Sequence, residues 1–211
     1  MPSYFNSIQN RIDMYCLRKL LLISVYCFFV LALNAQSSGV IQFELETFMP
    51  KGEVSMGGMK YELFFSKDRS REVYNDKQRF SIANYADREG YACMTDLSVM
   101  VKIGALENLN ILYTNETKQI AGYLCRKAVA TGETFSAEFY ITNQIKANYT
   151  PAALMGWVEG VVLEYKEYGA MATSHIVASQ IELTAVSDTL FELPQLRTVT
   201  KVELVQLLNK R

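Results

Sequence analysis

Val40-Ile-Gln-Phe-Glu-Leu-Glu-Thr-Phe48 alternates residue by residue. Ile41, Phe43 and Leu45 fall on one side, and Gln42, Glu44 and Glu46 on the other. A period of two is the signature of a β-strand with one dry and one wet face. Met59-Lys-Tyr-Glu-Leu-Phe-Phe65 repeats it, and Phe135, Ala137, Phe139 and Ile141 alternate with Ser136, Glu138 and Tyr140. The longest run, 176–187, sets Val177, Ile181, Leu183 and Ala185 against Gln180, Glu182 and Thr184. Shorter β-like runs lie at 71–75, 79–85, 90–95, 98–103, 110–114, 120–130 and 161–168.

Pro50-Lys-Gly52, Gly57-Gly58, Asn75-Asp76, Asp87-Arg-Glu-Gly90, Thr131-Gly132 and Gly169 supply turn chemistry between these runs. Strands recur without helical patterns between them, so an antiparallel meander is expected in place of βαβ units. One helix is clear. Thr200-Lys-Val-Glu203 is a capping box that opens a helix over about 201–209, with Val202, Val205 and Leu208 at three-residue spacing and Leu204 and Leu207 widening the face. Thr150 and Pro151 open a second short helical turn over 151–155. Two short helices cannot cover so much amphipathic sheet. The expected fold is therefore mainly β, an antiparallel sheet curled into a half-barrel with one or two short covering helices.

The chain of 211 residues is half apolar and carries a net charge of −1. That composition excludes disorder and gives no electrostatic footprint for nucleic acid. Leu20 to Leu33 is a 14-residue uncharged run, preceded by Arg18-Lys19 and followed by Asn34-Ala35. It is shorter than the roughly 20 residues of a membrane-spanning helix, so residues 1–35 are expected to be a secretory signal cut after Ala35. Met14 offers an alternative start. The remainder, 36–211, is expected to be one domain in the periplasm or associated with the outer membrane of a Gram-negative-type envelope. Cys27 lies in the apolar run and lacks the small neighbours of a lipidated cysteine.

His175 is the single histidine, which excludes any site built on two imidazoles. Its neighbour Ser174 falls on the opposite strand face, so a catalytic pair is not expected. Glu44/Glu46 and Glu182/Asp188 read as solvated side chains and not as paired acids and bases. Cys93 and Cys125 either form a disulfide or stand as two small buried hydrophobes, the second being preferred. Met49, Met56, Met59, Met94, Met100, Met155 and Met171 are ordinary core and loop residues, with 49–59 as a candidate apolar loop at a cavity mouth. Asn115 and Asn148 fall in glycosylation-type tripeptides that also arise by chance. Trp157, alone of its kind and flanked by glycines, is either a plug at the barrel end or an exposed contact, the plug being preferred.

Several segments also resemble known envelope proteins. Thr117-Lys-Gln-Ile-Ala-Gly-Tyr-Leu-Cys-Arg-Lys-Ala128 and Phe139-Tyr-Ile-Thr-Asn-Gln-Ile145 resemble two successive strands of the secreted GLPGLI family, and Gly156-Trp-Val-Glu-Gly-Val-Val-Leu-Glu164 sits where that family carries Gly-Leu-Pro-Gly-Leu-Ile-Leu-Glu. The third segment departs from it by a longer turn that lacks proline. Ser187-Asp-Thr-Leu-Phe-Glu-Leu-Pro194 resembles the last strand of proteins similar to LolA, the outer-membrane lipoprotein carrier. This resemblance implies a LolA-like half-barrel, an envelope address and carriage of lipoprotein acyl chains.

The expectation from the sequence is therefore a non-enzymatic protein, without metal or cofactor, that binds a lipid or a lipoprotein acyl chain. Phe43, Leu45, Leu63, Phe65, Phe139, Leu163 and Leu183 would line its concave face. The alternative is an envelope scaffold with a packed barrel that meets a protein partner.

Overall fold

The computed structural model describes residues 37–49, 54–75 and 77–209. The leader over 1–35, the alternative start at Met14, Cys27 and the turn at 50–52 lie outside the described residues. The strands are β1 (Ser38–Phe48), β2 (Val54–Ser66), β3 (Arg69–Tyr74), β4 (Arg79–Asn84), β5 (Glu89–Met94), β6 (Val99–Ile103), β7 (Asn110–Ile120), β8 (Tyr123–Thr131), β9 (Ser136–Thr142), β10 (Val161–Tyr168), β11 (Thr173–Leu183) and β12 (Arg197–Val199). They form one curled, unclosed sheet in the order β12-β6-β5-β4-β3-β2-β1-β11-β10-β9-β8-β7. Every pairing is antiparallel except β12 on β6, which is parallel and three residues long. The expected fold class holds.

β1 lies at the centre of the order, as its alternation requires. Ile41, Phe43 and Leu45 face Leu63, Tyr61 and Met59 of β2 across one ladder. On the other side the register slips, because Gln42 pairs with Gln180 while Phe43 pairs with Ala178. Ser179 is the extra residue of a β-bulge, and it inverts the alternation of β11 below that point. Ala178 and Ile176 therefore share the face of Ile181 and Leu183, whereas Val177 stands opposite Glu44. A strict period of two had put Val177 with Ile181. A second bulge, at Leu163, sends that side chain into one apolar cluster while Val162 and Tyr165 pack in another.

The run expected at 120–130 is a hairpin. Ala121 and Gly122 both have positive φ and close a two-residue turn between β7 and β8. The capping box is present: Thr200 Oγ1 accepts from the Glu203 amide at 3.2 Å, and Glu203 accepts from the Thr200 amide at 2.8 Å. The helix it opens, α1 (Lys201–Leu208), rests Leu204 and Leu207 on Val99, Val101 and Val199. Val202, Val205 and Leu208, expected as the core of its apolar face, are exposed.

Phe43, Leu63, Phe65, Phe139 and Leu163 are sealed in the core, and Leu45 and Leu183 are half-buried. Phe139 packs with Ala128, Ala137, Ile141, Leu154 and Tyr165. A side chain in such close packing leaves a void when truncated. Phe139→Ala is expected to cost about 3–5 kcal/mol of unfolding free energy in a denaturant titration. A loss below about 1 kcal/mol would show that Phe139 faces open space.

Candidate functional site

An 18-residue connection, 143–160, joins β9 to β10 and builds most of the functional geometry. Ile145, Ala147, Tyr149, Leu154, Met155 and Val158 are all buried. Tyr149 ties the segment to the start of β10: its amide donates to the Gly160 carbonyl at 2.9 Å, and its carbonyl accepts from the Val162 amide at 2.9 Å. Asn148 fixes the same point. Its Nδ2 donates to Asp68 Oδ1 at 2.8 Å, and its Oδ1 accepts from the Gly160 amide at 2.9 Å. The Asn148 amide thus has a structural role. Gly160 sits at φ +111°, and a Cβ there would come within 2.3 Å of Asn143 Oδ1, so only glycine fits this turn. The connection contributes walls to two separate cavities, and none of the seven apolar residues nominated from the sequence lines either.

The first is a polar cleft of about 700 Å³. Its walls include Asp68, Arg88, Tyr113, Arg126, Trp157 and Glu159, which come from three turns or loops and two strands. Trp157 is 40% exposed, and its indole N–H donates to the Leu106 carbonyl at 2.8 Å. The ring is thus anchored at its polar edge while the residue stays exposed at the cleft, an exposed contact and not the preferred plug. The Arg126 guanidinium lies 5.2 Å over the Tyr113 ring, and its Nε donates to the Thr114 carbonyl at 2.8 Å. Gly156, at φ +75°, lets Arg88 pack against the backbone beside Trp157; a Cβ there would meet Arg88 Nε at 2.5 Å. Open aromatic faces among planar amide, guanidinium and carboxylate groups suit a polar ligand with apolar patches, such as a sugar.

The second cavity, of about 650 Å³, has mainly apolar walls and a row of tyrosines. Glu72 accepts from Tyr149 at 3.0 Å on Oε1, and from Tyr74 at 3.0 Å and Ser81 at 2.9 Å on Oε2. The Tyr61 and Tyr149 hydroxyls lie 3.4 Å apart, and Tyr61 stacks on Phe43 at 5.1 Å. Burial first, then the Glu72 charge, hold the Tyr61 and Tyr149 phenols well above their ordinary range. For Tyr74 the Glu72 charge is the larger cause. Burial likewise raises Tyr85, which donates to the Thr150 carbonyl at 3.0 Å, and Tyr165, which donates to Glu167 at 2.7 Å.

The remaining candidates are dispersed. His175 Nε2 lies 3.0 Å from Glu164 Oε1, and Lys118 Nζ lies 2.6 Å from Oε2, so the imidazole belongs to a charge cluster on a strand face. Glu44 pairs with Lys60 at 3.0 Å and Asp188 with Arg69 at 2.5 Å, both at the surface. Cys93 and Cys125 are free thiols, buried in different clusters, and burial pushes Cys125 up to about 11. The disulfide alternative is thereby corrected. Met59 and Met94 line the second cavity, Met155 is buried, and Met171 is 82% exposed. Tyr149, Glu72, Arg126 and Tyr113 were not nominated from the sequence. The alternation Ile145, Ala147, Tyr149 was the available signal for the buried connection.

A family model described as "N-glycanase peptide, N-terminal domain" matches residues 75–203. Two crystal forms of PNGF-II are similar in structure, each at 19% identity over 82% of this chain, with TM-scores of 0.58 and 0.57. The chain spans about a third of the length of those proteins, 33% in each case. A domain named for outer-membrane lipoprotein sorting, from Vibrio parahaemolyticus, is more remote, at 6% identity over 75% of this chain and 90% of that one, with a TM-score of 0.41. No curated protein matches the chain.

The family match overturns the GLPGLI and LolA resemblance, and with it lipid or lipoprotein carriage; the scaffold alternative gains no support from it. It also overturns the expectation of a non-enzymatic protein, since the matching model is the N-terminal domain of an N-glycanase family. Short motifs carried that resemblance, and they do not share one structural role: 123–128 lies on β8, 156–160 lies in the loop before β10, and 188–191, read as a last strand, is a short 3-10 turn.

The buried phenols supply a test of this geometry. A phenol held above its ordinary value of about 10 contributes stability that is complete below that pH and is lost as pH rises toward the folded value. An alkaline titration followed by phenolate absorbance and circular dichroism should show one set of tyrosines ionising near pH 10 and a second set ionising only as the fold is lost. Ionisation of every tyrosine near pH 10 in an intact sheet would contradict the Glu72 network.

Proposed function

The chain belongs to the family of N-glycanase peptide N-terminal domains, and on that premise we propose that it is an enzyme-related domain engaging the glycan of an N-linked glycopeptide in the polar cleft. The observation that carries this is Trp157. Its indole edge is fixed by the Leu106 carbonyl, and its ring is exposed in the same cleft as the Tyr113–Arg126 stack. A sugar ring offers one apolar face of C–H groups and a rim of hydroxyls. The first suits an open indole, and the second suits the Arg88 and Arg126 guanidiniums as donors and the Asp68 and Glu159 carboxylates as acceptors.

Anchoring matters to the energetics. A tryptophan already held in place loses little rotamer freedom on binding, and Arg126 is restrained by both the Thr114 carbonyl and the Tyr113 ring. Placement outside the cytoplasm, in an envelope or secreted, is part of the same proposal. It is supported by the cationic and apolar residues at 18–33 and by the availability of N-glycosylated substrates outside cells.

With one tryptophan in the sequence, emission excited selectively at the indole reports on this cleft alone. Adding an N-linked glycopeptide should give a saturable change in Trp157 emission, and the same peptide without its glycan should give none. Arg126→Ala should weaken binding by about tenfold, the loss of one charge-assisted contact. Silence with the glycopeptide, or an equal response to the bare peptide, would overturn the proposal.

A further inference from the structure

The tyrosine-lined cavity carries a feature that packing alone does not require. Glu72 sits half-buried against mainly apolar walls, and its three hydrogen-bond donors, Tyr74, Tyr149 and Ser81, are all neutral hydroxyls. Among the described ion pairs, Glu72 takes part in none. A carboxylate has about four acceptor positions. Among the described residues Oε2 is served twice and Oε1 once, so their hydrogen bonds leave one position on Oε1 for a further donor.

The hydroxyls cannot neutralise the charge, because their phenols are held in the protonated state by burial and by Glu72 itself. The carboxylate therefore presents its charge, bonded by neutral hydroxyls, among Tyr61, Tyr74 and Tyr149, whose electron-rich faces also attract cations. Among the described residues Arg79 is the one cation that lines this cavity, against the two carboxylates Glu72 and Glu167. Glu167, bonded to Tyr165, adds a second carboxylate to the same cavity. An aromatic enclosure with an acid at its base selects for a positively charged group on an apolar stem. A neutral alkyl group would leave the Oε1 position empty, and an anion would be repelled.

We propose that this cavity is a second binding site, distinct from the polar cleft, which takes an organic ammonium group on Glu72 Oε1 with its alkyl stem among the tyrosines. The site goes beyond the glycan proposal and does not depend on it. The ammonium can belong to a lysine side chain of a peptide or to a free amine, since both present the same chemistry.

Titration calorimetry on the intact protein tests the site with n-pentylammonium, Nα-acetyl-lysine amide and the neutral n-pentanol. Saturable binding of pentylammonium, at least about tenfold tighter than pentanol, is expected. Additional binding of the lysine amide identifies peptide side chains as the source, and its absence identifies free amines. Glu72→Gln should abolish the preference for the cation by about the same factor while leaving the Trp157 response to glycopeptide intact. If Glu72→Gln does not fold, the cation-to-alcohol comparison on the unaltered protein decides by itself. Equal binding of pentanol and pentylammonium, no saturation below about 10 mM, or full cation binding by folded Glu72→Gln would each overturn the site.

Discussion

A single curled sheet without a second layer must cover its own concave face, and here one loop does the covering. The 143–160 connection lays Ile145, Ala147, Tyr149, Leu154, Met155 and Val158 into the core and is locked by the paired bonds of Tyr149 and Asn148. A loop can be buried only if its backbone polar groups find partners. The parallel bridge from Tyr149 to Val161 and the Gly160 turn supply them. Both cavities follow from this arrangement. Trp157, Gly156 and Asn143 border the polar cleft, while Tyr149, Pro151 and Ala152 border the tyrosine-lined cavity. A change that loosened Tyr149 would disturb both.

The two cavities differ in how they handle charge. At the polar cleft, cations and anions are partly solvated, where a pair contributes little to stability and much to orientation. In the tyrosine-lined cavity the carboxylate is met by hydroxyls in place of a cation. Neutral donors satisfy hydrogen bonding without cancelling the field, which is costly to the fold and useful to a ligand. Glu164 shows the ordinary alternative. More deeply buried than Glu72, it lies between Lys118 and His175, so a cation meets its charge directly.

Much of the sheet was legible because burial on one face writes itself into the sequence as alternation. The strands near β1 and β2 follow it closely, and Thr200–Glu203 marks the helix start. What escaped has specific causes. Ser179 adds one residue to β11 and so moves Val177 to the other face, which no strict period can register. The polar stretch Asn115-Glu-Thr-Lys-Gln continues β7 because the neighbouring strand, not side-chain pattern, holds it there. β12 is too short to show a period. At the functional site, Trp157 and its glycines were conspicuous, but an anchored ring at a cleft and a barrel plug have the same sequence. Glu72 and Tyr149, 77 residues apart, meet only through the fold. The GLPGLI-type motif at 123–128 lies on a true strand, whereas the LolA-type stretch 187–194 forms a 3-10 turn at 188–191, and the family match places neither in the family it resembled.

The most direct measurement of the account is a crystal structure of the protein with an N-linked glycopeptide. It should place the sugar on the exposed face of Trp157, within hydrogen-bond reach of Arg88 or Arg126, with the 143–160 connection unmoved. A glycan bound elsewhere on the sheet, or a Trp157 ring left bare in a saturated complex, would contradict it.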